Sequence, residues 1–139
     1  MITATSNANV PKFTVVVGAS IGAGNYAMCG RAFKPRLLFM WPNAHISVMG
    51  GEQAANVLTT LEINKLKREK KELTEEKVQE IIEPVLEEYR RKSSAYYSTS
   101  QLWDDAIIDP IDTRKILGFS IVAALNAPIE ATRFGIFRM

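Results

Sequence analysis

The sequence predicts a single α/β domain, on three observations. Two apolar runs without alternation, Lys12–Val17 and Leu37–Trp41, have the pattern of strands buried on both faces. The stretch Val15-Val16-Val17-Gly18-Ala19-Ser20-Ile21-Gly22-Ala23-Gly24-Asn25-Tyr26-Ala27-Met28 reads as a buried strand, a glycine-rich turn and the first turns of a helix. Farther on, Val78, Ile81, Ile82, Val85, Leu86 and Tyr89 recur at helical spacing on one stripe. With 139 residues, 47% hydrophobic and 23% charged, the chain has material for one ordinary core.

The elements follow in order. Residues 1–9 are small and polar, the end of a helix, and Val10-Pro11 restarts the chain as extended. A strand over Lys12–Val17 leads through the glycines into a helix from Gly22 to about Ala32, which places Cys29 inside that helix. Pro35 ends the region, Leu37–Trp41 forms the second strand, Pro42-Asn43-Ala44 turns, and His45–Val48 forms a short third strand. Gly50-Gly51 opens a helix through about Leu61, with Glu52 in the first turn, where the dipole favours an acid. Residues 62–92 are more than half charged and form an outer helical arm, with Thr74 as N-cap and Pro84 as the point where it bends. Ser93–Ser100 reads as a loop. Asp109-Pro110 then starts a last helix, whose buried face is Ile116, Leu117, Ile121, Ala124 and Leu125; Asn126-Ala127-Pro128 stops it. The tail through Phe134–Phe137 is apolar enough to dock.

Several function classes are excluded or weakened. The longest compact apolar run, Leu37–Trp41, is five residues, far short of a membrane span, and no basic-then-apolar signal segment opens the chain. The lone Cys29 makes no internal disulfide, and a net charge of +2 gives no nucleic-acid signature. Met1 to Gly51 contains no Asp or Glu, so the glycine-rich turn sits in a segment of positive potential that suits an anionic ligand. Gly22-Ala23-Gly24-Asn25-Tyr26-Ala27 matches the dinucleotide fingerprint, but no acid follows about 20 residues on to hold a ribose, and no Gly-Lys-Ser/Thr marks a P-loop. What survives is a strand–turn–helix site of backbone donors for an oxygen gaining negative charge. His45 and Cys29 read separately, as a surface or strand histidine and a buried inert thiol, rather than as a catalytic pair. Asp104, Asp105, Asp109 and Asp112 lack the spacing of a metal site, and the pair Asp109 and Asp112 is explained by capping, Asp112 reaching back toward the cap. Trp41, Trp103, Tyr96 and Tyr97 read as core or interface residues.

The longer motifs carry a resemblance. Gly22-Ala23-Gly24-Asn25-Tyr26, Met28-Cys29-Gly30-Arg31-Ala32 and Trp41-Pro42-Asn43-Ala44 resemble the carboxyltransferase (β) subunits of biotin-dependent acyl-CoA carboxylases. So do the runs Ile46–Leu58, Trp103-Asp104-Asp105, Ile108-Asp109-Pro110, Ala123–Glu130 and Phe134–Met139. The Gly-Ala-Gly-Asn-Tyr and Met-Gly-Gly-Glu-Gln-Ala-Ala-Asn forms are most similar to the methylcrotonoyl-CoA carboxylase branch. Ile21, Ala27 and His45 depart from the family's usual Tyr, Gly and Arg.

The resemblance implies a crotonase-like ββα superhelix, with residues 1–139 as the C-terminal part of the subunit's second half. It implies a ligase-type reaction of an ATP-dependent holoenzyme in leucine degradation: transfer of a carboxyl group from carboxybiotin to an acyl-CoA. Backbone donors at Gly22, Ala23 and Gly24 would polarise the biotin ureido oxygen, and no side-chain base is needed. Ile21, Asn25, Tyr26, Met49, Gly50 and Gly51 would flank the biotin. The implied partners are a biotin-carrying α subunit and other β subunits, with acyl-CoA held by an N-terminal half outside this chain; neither metal, nucleic acid nor membrane is called for. The implied location is the mitochondrial matrix in a eukaryote and the cytoplasm in a bacterium. Two other readings stay open: a biotin-dependent acyl-CoA decarboxylase using the same loop, and a non-catalytic assembly fragment.

Overall fold

In a computed structural model of the protein, which describes residues 1–68 and 74–131, two small parallel sheets carry the chain back and forth. In the first, β1 (Phe13–Val16) pairs with β3 (Leu37–Met40), Phe13 opposite Leu37 and Val16 opposite Met40. The second sheet pairs β2 (Ala19–Ile21) with β4 (His45–Ser47), Ala19 opposite His45 and Ile21 opposite Ser47. A further strand, β5 (Ala106–Ile107), adds to the free edge of β3. Twice the chain leaves the first sheet, makes a short step, enters the second, and then turns into a helix. Thus β1–β2 leads to α2 (Ala23–Ala27), and β3–β4 leads to α3 (Gly51–Arg68). The steps are pinned by backbone bonds, Trp41 N–H to Val16 O at 3.0 Å and His45 N–H to Gly18 O at 3.1 Å. This is the ββα repeat that the sequence motifs imply.

The core is built where the sheets meet. Val16, Leu38, Met40 and Ala44 are buried together with Ala95, and Ile46 and Ile107 pack against them. Ala95 comes from α5 (Ala95–Ser100), where a loop was expected. Its Ser and Thr side chains look loop-like, but Ser94 caps the helix by accepting the Tyr97 N–H. Residues α4 (Glu75–Ser93) and α3 form an outer hairpin, and α4 runs through Pro84 as one helix. The expected stripe Val78, Ile81, Ile82, Val85, Leu86 and Tyr89 is half-buried, while the remaining described positions on α4 are mostly exposed. The part of the arm at 69–73 and the tail at 132–139 lie outside the described residues.

Further expectations are corrected. The helix expected from Gly22 to about Ala32 ends at Ala27, because Cys29 takes the left-handed region at φ 63°, and Arg31–Phe33 follow as a single 3₁₀ turn. Cys29 is therefore outside the helix. The helix expected to end near Leu61 continues to Arg68. In α6 (Thr113–Ala124), Ile116, Leu117 and Ala124 are half-buried as expected, but Ile121 and Leu125 are exposed beside Phe119 and Val122. Ser120 is buried instead, and its hydroxyl satisfies itself by donating to Ile116 O at 2.8 Å. Asp109 accepts the Ile111 N–H at 3.0 Å as expected, but Pro110 opens a separate 3₁₀ turn ahead of α6, and the Asp112 side chain makes no capping hydrogen bond. At the opposite end of the chain, α1 (Ile2–Asn7) is tied down by Thr5 Oγ1 donating to Ala27 O at 3.0 Å.

Leu38 has no exposed surface, so Leu38→Ala should cost about 2–5 kcal/mol, as buried leucine truncations do. Val122 is 64% exposed on α6, and Val122→Ala should stay within about 0.5 kcal/mol. Urea denaturation measures both; equal losses would contradict the core assignment.

Candidate functional site

The site is made by the way β2 becomes α2. The chain leaves the strand at Ile21 and enters the helix at Ala23, so Gly22 makes the whole turn. Its backbone sits at φ 65°, ψ −143°, and a Cβ there would lie 3.2 Å from Val48 O. Conformation and space both require glycine. The Gly22 N–H donates to Ser47 O at 2.9 Å, carrying the β2–β4 pairing one residue past Ile21. Gly22 O in turn accepts the Asn25 N–H at 3.2 Å. The next two amides, Ala23 and Gly24, donate to no group among the described residues, and both residues are exposed. No atom lies within 4 Å of where a Gly24 Cβ would stand. Of the three donors expected at Gly22, Ala23 and Gly24, the first is thus committed to the sheet. Two remain.

The flanking residues divide into two groups. Ile21, Met49, Gly50 and Gly51 come together along an open groove of about 340 Å³, whose other wall is Leu86 and Tyr89 of α4. Glu52 and Arg90 also line it and bring one charge of each sign. Asn25 and Tyr26 lie outside that groove. Tyr26 is half-exposed, its ring edge-on to Phe33 at 6.1 Å. Asn25 turns its amide inward, Nδ2 donating to Ser20 Oγ at 2.9 Å. Gly51 is explained by packing, since a Cβ there would stand 3.2 Å from Tyr89 Cβ. The Gly50 N–H donates to Gln53 Oε1 at 3.1 Å, which closes the start of α3.

The arm's share in this groove is not visible in the sequence. Its apolar stripe says that Leu86 and Tyr89 face something, but not that they face the edge of the second sheet. Farther along the arm, the hydrogen bond and charge of Lys92 hold the Glu88 carboxyl below its ordinary range, and Glu88 raises Lys92 in return. Both are solvent-exposed, so the pair adds little to stability.

Of the remaining candidates, His45 lines the same groove and the others serve the fold. His45 lies on β4 with Nδ1 3.4 Å from Ser93 Oγ. Buried Cys29 neighbours Thr14 and Phe33 instead, its carbonyl accepting from Thr14 Oγ1 at 2.8 Å. Asp105 Oδ2 accepts the Leu38 N–H at 2.7 Å and pairs with Arg31 at 3.2 Å, tying the segment after α2 to the first sheet. Asp104 accepts Thr99 Oγ1 at 2.7 Å. Among the described residues no three metal-ligating side chains cluster, and no helix is long and apolar enough to cross a membrane.

Comparison with known proteins decides the family. The carboxyl transferase domain model matches residues 1–135. The chain belongs to the carboxyl transferase family. It is 57% identical, over its whole length, to the probable mitochondrial methylcrotonoyl-CoA carboxylase beta chain of Drosophila melanogaster, and 55% to the mitochondrial beta chain of Arabidopsis thaliana. It spans 24% of the length of each of these relatives. A solved structure of the beta subunit of P. aeruginosa geranyl-CoA carboxylase superposes on 99% of the chain with TM-score 0.77 at 40% identity, and the match takes in 26% of that subunit. Transcarboxylase 12S, solved as a hexamer with methylmalonyl-coenzyme A, superposes with TM-score 0.73 at 30% identity. The fold is the crotonase-like one of carboxyltransferase β subunits, as the motifs imply.

The two loop glycines should behave oppositely. Gly22→Ala forces an L residue into strained backbone and should destabilise by about 1–3 kcal/mol. Gly24→Ala sits in helical backbone with open space and should be neutral or stabilising by up to about 1 kcal/mol. Chemical denaturation of the two variants checks the contrast; a Gly24→Ala loss as large as that of Gly22→Ala would refute it.

Proposed function

We propose that this chain is the biotin-side part of a methylcrotonoyl-CoA carboxylase carboxyltransferase subunit, from its C-terminal half. The observation that carries the reading is the pair of exposed, unpartnered amides at Ala23 and Gly24, aligned by a strained glycine in a family of carboxyl transferases. Oriented backbone donors suit a carbonyl-type oxygen that gains negative charge. The residues present fit a ureido ring: two free amides at the start of α2, with half-exposed Ile21 and Tyr26 flanking them in the chain, next to the groove that Ile21 and Met49 line. Carboxybiotin, when bound, would supply the carboxyl group. The chain's own part is to hold the ureido oxygen at the Ala23 and Gly24 amides and to lend apolar contact along the groove. No side chain near the two amides is assigned a proton transfer.

On this reading biotin arrives on a partner α subunit, further β subunits complete the assembly, and the acyl-CoA is held by a part of the subunit that these 139 residues do not include. Names of relatives support the first two points: one is a biotin-dependent 3-methylcrotonyl-coenzyme A carboxylase beta1 subunit of Mycobacterium tuberculosis, and the transcarboxylase core is a hexamer. The mitochondrial names among eukaryotic relatives support a mitochondrial location in a eukaryote.

The test is carboxyl transfer to methylcrotonoyl-CoA by a full-length subunit carrying these residues, together with its biotin-bearing partner. Gly24→Val has room to fold but sets a branched side chain over the donors, and should lower the rate by about 10²–10³, the usual loss of one oxyanion donor. Cys29→Ala and His45→Ala should keep most of the activity. The 139-residue chain alone should transfer nothing. A near-normal rate for Gly24→Val, or a dead Cys29→Ala or His45→Ala enzyme that is properly folded, would overturn the reading.

A further inference from the structure

The segment that presents the two amides is short. With five residues, α2 cannot keep its geometry through its own hydrogen bonds, so something else must fix it against the sheet. One residue makes the needed contacts in three directions. The Asn25 N–H donates to Gly22 O at 3.2 Å, its carbonyl accepts the Gly30 N–H at 2.8 Å, and its side-chain amide donates to Ser20 Oγ on β2 at 2.9 Å.

Gly30 supplies the independent clue. It is buried, with φ −62° and ψ 175°, a conformation open to any residue, so its backbone does not ask for glycine. Space does. A Cβ on Gly30 would stand 1.9 Å from Asn25 Oδ1 and 2.8 Å from Asn25 Cγ and from Asn25 O. The glycine at position 30 is there to let the Asn25 side chain lie against it.

We infer that Asn25 is a positioning residue: it does not touch the cofactor but braces the Ala23 and Gly24 amides, and Gly30 exists to admit that brace. This deepens the proposed function and rests on it. Ser20 and Gly30 become parts of the same device, although neither lies at the donor site. The brace also accounts for an asparagine here, since the position needs a short side chain with an N–H₂ to reach Ser20 and a flat amide to fit over a Cα.

The experiment compares Asn25→Ala, Gly30→Ala and the double variant in the full-length subunit, using free biotin as carboxyl acceptor from a carboxylated acyl-CoA. Misplacement of the donors should lower kcat about 10²-fold in each single variant, with KM for biotin unchanged within about twofold. Asn25→Ala removes the side-chain atoms that a Gly30 Cβ would meet but leaves the backbone carbonyl of residue 25 at 2.8 Å, so the double variant should lose less than the product of the two single losses. A raised KM for biotin at normal kcat would mean direct contact and overturn the inference, as would losses that multiply in the double variant. Hydrogen exchange gives a readout without activity: amides over residues 22–30 should exchange faster in both single variants, while the rest of the protein keeps its protection. Unchanged exchange there would refute the brace. A wild-type subunit with no transfer at all would instead refute the proposed function, and exchange would still decide the brace.

Discussion

Gly22 is the residue on which the site depends. A three-residue strand must stay paired to its neighbour through its last residue, yet the chain must be helical two residues later. Only a backbone at φ 65° lets the same N–H close onto Ser47 O while the next carbonyl starts a helical turn. Because that N–H is used by the sheet, the donors left over are those of Ala23 and Gly24. The geometry that makes the site also rules out a side chain at its pivot, where Val48 O already fills the space. Much of the surrounding structure then secures this junction: Ser20 and Gly30 through Asn25, and Arg31 through Asp105.

The strands β1 and β3 were legible because continuous apolar or β-branched runs have few other uses in a chain of this size. The strand β2 was not. Ala19-Ser20-Ile21 has no apolar run, and it is a strand only because Gly18 and Gly22 bond to β4 on either side. The two residues of β5 are likewise held by register against β3 rather than by propensity. The helix at α5 was hidden because serine and threonine favour loops until a cap such as Ser94 takes up the first free amides. On α6 the periodicity was right, but it could not say which part of the stripe has a neighbour; Ile121 and Leu125 have little.

At the site itself, composition did much of the work. A chain with one histidine and one cysteine, and no acid before Glu52, leaves backbone amides as the groups able to stabilise charge around the glycines. That argument points to the same loop as the motif resemblance. It could not tell Gly22 from Gly24, since the two differ only in φ and in what stands opposite. It also could not bring α4 to the groove, because Leu86 and Tyr89 reach Gly51 only through the α3–α4 hairpin. The inward amide of Asn25 was equally invisible: a polar residue after a glycine turn reads as a ligand contact until its partner is seen.

The central claim is that two backbone amides of this chain hold the ureido oxygen of biotin. A structure of the full-length subunit with biotin bound tests it directly. The oxygen should lie about 2.7–3.1 Å from the amide nitrogens of Ala23 and Gly24, the spacing of an oxyanion donor pair, with Asn25 still bonded to Ser20. Biotin seated elsewhere, or held at its ureido oxygen by a side chain while both amides stay unpaired, would contradict it.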